Sequence, residues 1–141
     1  YTFTIDGQRR ESVGTSCLVK FDGQLVLLTC HHVACHLLSS EHADARFDFE
    51  ADKNVKPVRI RHDLYFVTHA DLDFAFVGID LAGIEDRVPL ELATRYRPKV
   101  LSVVELWQHP RGGPKARAVG SVTNVDEEHM FYNADTEAGS S

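Results

Sequence analysis

Apolar residues fall in short blocks along the whole chain, and polar, turn-forming stretches separate them. The blocks cover residues 1–5, 17–21, 24–29, 45–49, 57–60, 65–68, 74–79, 100–107, 116–122 and 130–132. They are too short for amphipathic helices and rich in Val, Ile, Phe and Thr, which fit a pleated, half-buried surface. Phe21-Asp22-Gly23-Gln24 marks a hairpin, because Asp-Gly supplies the positive φ that a tight turn between two strands requires. Many short strands with frequent turns predict an all-β sandwich or barrel. Helix is expected only as a short turn over 33–39 and over 89–95.

The stretch 81–96 is acidic, then turn-rich, with no period of two. It divides the chain into 1–80, a first β-barrel, and 97–141, the start of a second. A chain of 141 residues suffices for two small barrels sharing an interface.

Charge narrows the function classes. The net charge of −6 argues against a nucleic-acid footprint, which draws on clustered Lys and Arg. Arg9-Arg10, 59–61 and 115–117 are short groups that read as solvated loop charge. No apolar run approaches the roughly 20 residues of a membrane-spanning helix. Neither nucleic acid nor membrane is therefore expected as a partner. Cys17, Cys30 and Cys35 make an odd, low count, which fits reduced thiols and an intracellular, cytoplasmic location better than a secreted disulfide framework.

The chemistry-bearing residues gather in three places. An apolar strand runs into Thr29-Cys30-His31-His32-Val33; Asp71-Leu72-Asp73 precedes the apolar block 74–79; and the sequence given ends in Gly139-Ser140-Ser141. Acyl transfer from an amide needs a hydroxyl activated by an imidazole, and a carboxylate that fixes the imidazole tautomer. Either histidine and either aspartate could serve on residue type alone. Cys30, His32, Cys35 and His36 also carry zinc-ligand chemistry, but no second Cys/His pair follows at finger spacing, so no metal and no cofactor is expected.

Together these motifs resemble those of the trypsin-like serine peptidases of the chymotrypsin fold. Thr29-Cys30-His31-His32 is similar to the family's Thr-x-x-His, which points to His32 as general base. Asp73-Phe74-Ala75-Phe76-Val77 is similar to its Asp-x-Ala-hydrophobic-hydrophobic strand, which points to Asp73 as the orienting carboxylate. Gly139-Ser140-Ser141 resembles the approach to Gly-x-Ser-Gly, making Ser141 the nucleophile and the N–H groups of Gly139 and Ser141 the oxyanion hole. Gly14-Thr15-Ser16 and Trp107-Gln108-His109-Pro110-Arg111-Gly112 resemble further family segments, with Gln108 where a glycine is usual. Val33 stands where many secreted relatives carry a bridged cysteine. The match is nearest to the compact group of glutamyl endopeptidases, HtrA-like enzymes and intracellular FAM111 proteases.

The resemblance implies a chymotrypsin-like double β-barrel, the first barrel complete and the second partial, and a serine endopeptidase acting on protein or peptide through an acyl-enzyme. Asp135 and Thr136 fall where the family builds its primary substrate pocket: an acid at Asp135 implies selection of basic residues, and Thr136 fits the glutamyl-endopeptidase pattern. On the same resemblance the sequence given stops at its nucleophile. A downstream segment or a second chain would then complete the second barrel, and residues 1–141 alone would be inactive. The alternative function is a catalytically silent protease-like fold that works as a binding or scaffold module.

Overall fold

A computed structural model describes residues 2–5, 8–11, 13–50, 54–137 and 140. Among the described residues the first half holds nine strands. These are β1 (Thr2–Ile5), β2 (Gln8–Glu11), β3 (Cys17–Phe21), β4 (Gln24–Thr29), β5 (Ser40–His42), β6 (Asp44–Ala45), β7 (Val58–Arg59), β8 (Phe66–His69) and β9 (Phe74–Gly78). They form sheets ordered β2-β1-β5, β3-β4-β9-β8 and β6-β7, and every strand pairing is antiparallel.

Asp22 and Gly23 take φ of 49° and 77° and close the β3–β4 hairpin, in register from Phe21↔Gln24 to Cys17↔Leu28. Strands β4 and β9 read as continuous apolar runs rather than alternating ones because both of their faces are covered. On one side Leu27 joins Leu18, Val58, Ile79 and Ile84, while Ala75 and Val77 pack on Ala34, Leu37 and Ala43. On the other side Val26 and Phe76 pack with Val19, and the Phe76 ring stacks on Phe21 at 4.1 Å between centroids. Gly78 sits where the chain passes Arg61: a Cβ there would fall inside van der Waals contact with the Arg61 carbonyl.

Residues 81–96 hold no strand, yet they are tied down. Ile84 is fully buried in the first core, and Leu90 N–H donates to the Leu18 carbonyl at 2.8 Å, bridging Val19 in parallel. Residues 89–95 are extended and turn rather than helical, a correction to the sequence expectation. Backbone pairing of Leu90 with the β3 edge outweighs whatever local helix propensity the segment has. Helix begins at the histidine pair itself, two residues ahead of the expected start, as α1 (His31–Ala34), and a 3₁₀ turn follows at Leu37–Ser39.

The second half is one antiparallel sheet of β10 (Val103–Gln108), β11 (Ala116–Val125) and β12 (Met130–Tyr132), in that order. A register shift between Val122 and Asn124 bends β11 against β12. The two halves meet at Thr15, Phe49, His109 and Lys115. Thr15 Oγ1 accepts from His109 N–H at 3.2 Å, Lys115 N–H donates to the Phe49 carbonyl at 2.8 Å, and the Phe49 and His109 rings stack at 5.9 Å. A cavity of about 410 Å³ lies along this junction, lined by Thr15, Thr29, Phe49 and His109 among others. Among the described residues no helix is long and apolar enough to cross a membrane.

Candidate active site

The β4–β9 register sets the site. Thr29, the last residue of β4, lies opposite Ala75, so the chain leaving β4 and the chain arriving at β9 stand side by side. After β4, Cys30 remains extended (φ −76°, ψ 150°) and the chain then winds into α1, which carries His31 and His32. Before β9, the turn at 70–73 closes with Asp73 N–H donating to the Ala70 carbonyl at 3.2 Å. Asp73 itself takes φ 48°, a left-handed conformation that aspartate tolerates better than most residues.

The Asp73 carboxylate reaches across this gap and grips His32 twice. Oδ1 accepts the His32 backbone N–H at 2.9 Å, and Oδ2 stands 2.7 Å from Nδ1 of the ring. Two acceptors on one rigid group hold the peptide and the imidazole together, which fixes the ring orientation. With Nδ1 donating to the carboxylate, Nε2 keeps its lone pair and is the base-competent nitrogen. The side chains remain open to solvent, 56% exposed at His32 and 47% at Asp73. Partial burial works against ionisation of Asp73, but the two His32 hydrogen bonds and the charges of His32 and His31 outweigh it, holding the carboxyl below its ordinary value.

His31 faces elsewhere. Its Nδ1 is 2.6 Å from Thr68 Oγ1, whose hydroxyl donates onward to the Phe74 carbonyl at 3.0 Å, so the ring N–H is the donor to Thr68. Asp71 lies exposed in the turn before β9. Of the two histidines and two aspartates considered from the sequence, the structure thus brings together His32 and Asp73.

Two thiols adjoin this pair: both stand near His32 in the sequence, and the fold brings Cys30 to Asp73 as well. Cys30 Sγ lies within 4.8 Å of the Asp73 carboxylate; burial first, then that neighbouring acceptor and its charge, push the thiol above the usual value. Cys35 Sγ donates to the His32 carbonyl at 3.3 Å. All three cysteines, Cys17, Cys30 and Cys35, carry free thiols. Cys30 Sγ, a His32 ring nitrogen and an Asp73 carboxylate oxygen lie within 4.8 Å of one another; among the described residues Cys35 and His36 do not join that group.

The nucleophile assigned from the sequence, Ser141, and the oxyanion-hole glycine, Gly139, lie outside the described residues. The segment leading to them is held at its start, where Gln108 Nε2, at the buried end of β10, donates to the Asp135 carbonyl at 3.1 Å. Gln108 in the position of a usual family glycine therefore contributes a contact. The Asp135 and Thr136 side chains are exposed. Arg111 pairs with Glu137 at 2.9 Å, and Ser140 Oγ accepts from Glu137 N–H at 3.2 Å.

Comparison with curated proteins finds no match to the chain. Residues 14–141 match the family model of the trypsin-like peptidase domain, a span that contains both His32 and Asp73 and nearly all of the sequence. The all-β architecture agrees with that fold, and the chain belongs to the trypsin-like peptidase domain family.

Proposed function

We propose that the protein is a serine endopeptidase in which His32 is general base and acid, Asp73 orients it, and Ser141 is the nucleophile. The observation that carries this is the double hydrogen bond from His32 to the Asp73 carboxylate. A carboxylate on Nδ1 holds the neutral imidazole in the tautomer whose Nε2 can take a serine proton, and stabilises the imidazolium that results.

In that scheme Ser141 Oγ attacks the scissile carbonyl carbon while its proton passes to His32 Nε2. The carbonyl oxygen becomes an oxyanion facing the backbone N–H groups of Gly139 and Ser141. Collapse expels the amine, which takes the proton from Nε2 and leaves an acyl-enzyme. Water, deprotonated by the same nitrogen, then releases the acid product. Asp135 and Thr136 stand on the approach to the nucleophile and are assigned to the substrate pocket, which takes a protein or peptide side chain.

The test is fluorophosphonate labelling and peptide turnover by the full-length protein, against its Ser141→Ala variant. Labelling of the parent at Ser141, with turnover lost in the variant, is expected. A folded parent that neither labels nor turns over peptide would overturn the assignment in favour of a silent, protease-like binding module.

A further inference from the structure

Beside the imidazole three different donors converge: a thiol sulfur, an imidazole nitrogen and a carboxylate oxygen, mutually within 4.8 Å. They come from two segments whose spacing the β4–β9 pairing fixes: Cys30 and His32 follow β4, and Asp73 leads into β9. A tetrahedral Zn²⁺ with bonds of about 2.0–2.3 Å sets its ligands about 3.3–3.6 Å apart. The His32 Nδ1–Asp73 Oδ2 pair, at 2.7 Å, would open to that spacing as the ion enters, and the Cys30 sulfur lies within 4.8 Å of the other two donors. Thiolate and imidazole together select zinc over magnesium or calcium, which prefer oxygen. The exposure of His32 and Asp73 gives a hydrated ion access and leaves the fourth position to water.

We propose that Cys30, His32 and Asp73 form an inhibitory Zn²⁺ site superimposed on the catalytic pair, a step that takes the Ser-His-Asp assignment above as its premise. Nδ1 is the ring nitrogen facing Asp73. A metal bound there displaces the Nδ1 proton, and the neutral imidazole keeps its one proton on Nε2 instead. Nε2 then has no lone pair for the serine proton, so the base is switched off without any movement of the backbone. The Cys30 thiol proton leaves to solvent as the thiolate binds. The Asp73 carboxylate changes partner from ring N–H to metal.

The experiment titrates the full-length protein, reduced and freed of metal by a chelator, with Co²⁺ and then Zn²⁺. Expected with Co²⁺ is a near-ultraviolet thiolate-to-metal absorption band, saturating near one equivalent and abolished by Zn²⁺. The band is lost in Cys30→Ala and kept in Cys35→Ala. Peptidase activity falls on adding Zn²⁺ and returns with chelator. Relative to its own metal-free rate, Cys30→Ala is at least about tenfold less sensitive, since even the outer partners of metal ligands are worth about 10–100-fold in affinity. If Cys30→Ala does not fold, the parent serves: Zn²⁺ slows alkylation of Cys30 but not of Cys35, read by peptide mass.

A missing band, a band that survives Cys30→Ala, or alkylation of Cys30 unaffected by Zn²⁺ overturns the metal site. A band with the expected ligands in a protein that never cleaves peptide keeps the site and removes the catalytic assignment. Cleavage without a band does the reverse.

Discussion

His31 and His32 are adjacent in the chain but hold different partners, a hydroxyl and a carboxylate respectively. His32→Ala is therefore expected to lower turnover by roughly 10⁴ to 10⁶, because triad members act as a unit, while His31→Ala costs far less. Steady-state kinetics on the two variants measure the difference, and equal losses would contradict the assignment. Asp73→Asn should keep the fold, since asparagine also accepts the left-handed φ of 48°, yet lose roughly 10⁴ in rate by favouring the wrong tautomer; Asp71→Asn should be mild. Because the Asp73 carboxyl is held below its ordinary value in the fold, the stability it contributes is present above the unfolded value and disappears as pH falls through the depressed one. Urea midpoints of the parent and Asp73→Asn, followed by circular dichroism, should accordingly differ at neutral pH and converge at the acid end. Motif context singled out His32 and Asp73, the pair that the structure places in contact. Cys30 was legible beside His32 but not beside Asp73, and Thr68 was not legible beside His31, since those contacts come from two strands brought into register, which no local pattern encodes.

At the level of elements, a strand glycine and a turn glycine carry the sharpest expectations. Gly78→Ala should cost about 1–3 kcal/mol, because its Cβ would meet the Arg61 carbonyl, a backbone atom that cannot swing aside. Gly23→Ala meets no steric obstacle and should cost only about 1–2 kcal/mol for the positive φ. Urea midpoints rank the two. The Asp-Gly hairpin and the strands flanking it were legible because turn chemistry and apolar runs agree there. Strands β2 and β5 were not: Gln8–Glu11 and Ser40–His42 are polar, short and held by pairing with β1 rather than by their own pattern. The 3₁₀ turn Pro110–Gly112 was equally hidden, with Arg111 at φ 53° inside it. In 89–95 a single residue, Leu90, meets the β3 edge, a pairing that no pattern within the segment announces.

For the whole molecule, Thr15 is the hinge pin between the halves, accepting from His109 with its hydroxyl and from Thr29 Oγ1 with its carbonyl. Thr15→Val removes the hydroxyl acceptor of His109 N–H and should cost about 1–3 kcal/mol. A lowered urea midpoint at unchanged slope is the expected signature. The division into 1–80, 81–96 and 97–141 was drawn from composition; how firmly the middle segment is anchored, through Ile84 and Leu90, lay beyond composition, since isolated apolar residues in an acidic stretch announce no partner. Because β4 and β9 each pair on both flanks, the strands that end beside His32 and begin beside Asp73 are the best-paired backbone in the first half. Their amides should be among the last to exchange with deuterium, long after those of β2 or β12 at sheet edges. The two segments that carry His32 and Asp73 would then keep their spacing through partial openings of the periphery, and lose it only when the molecule unfolds as a whole.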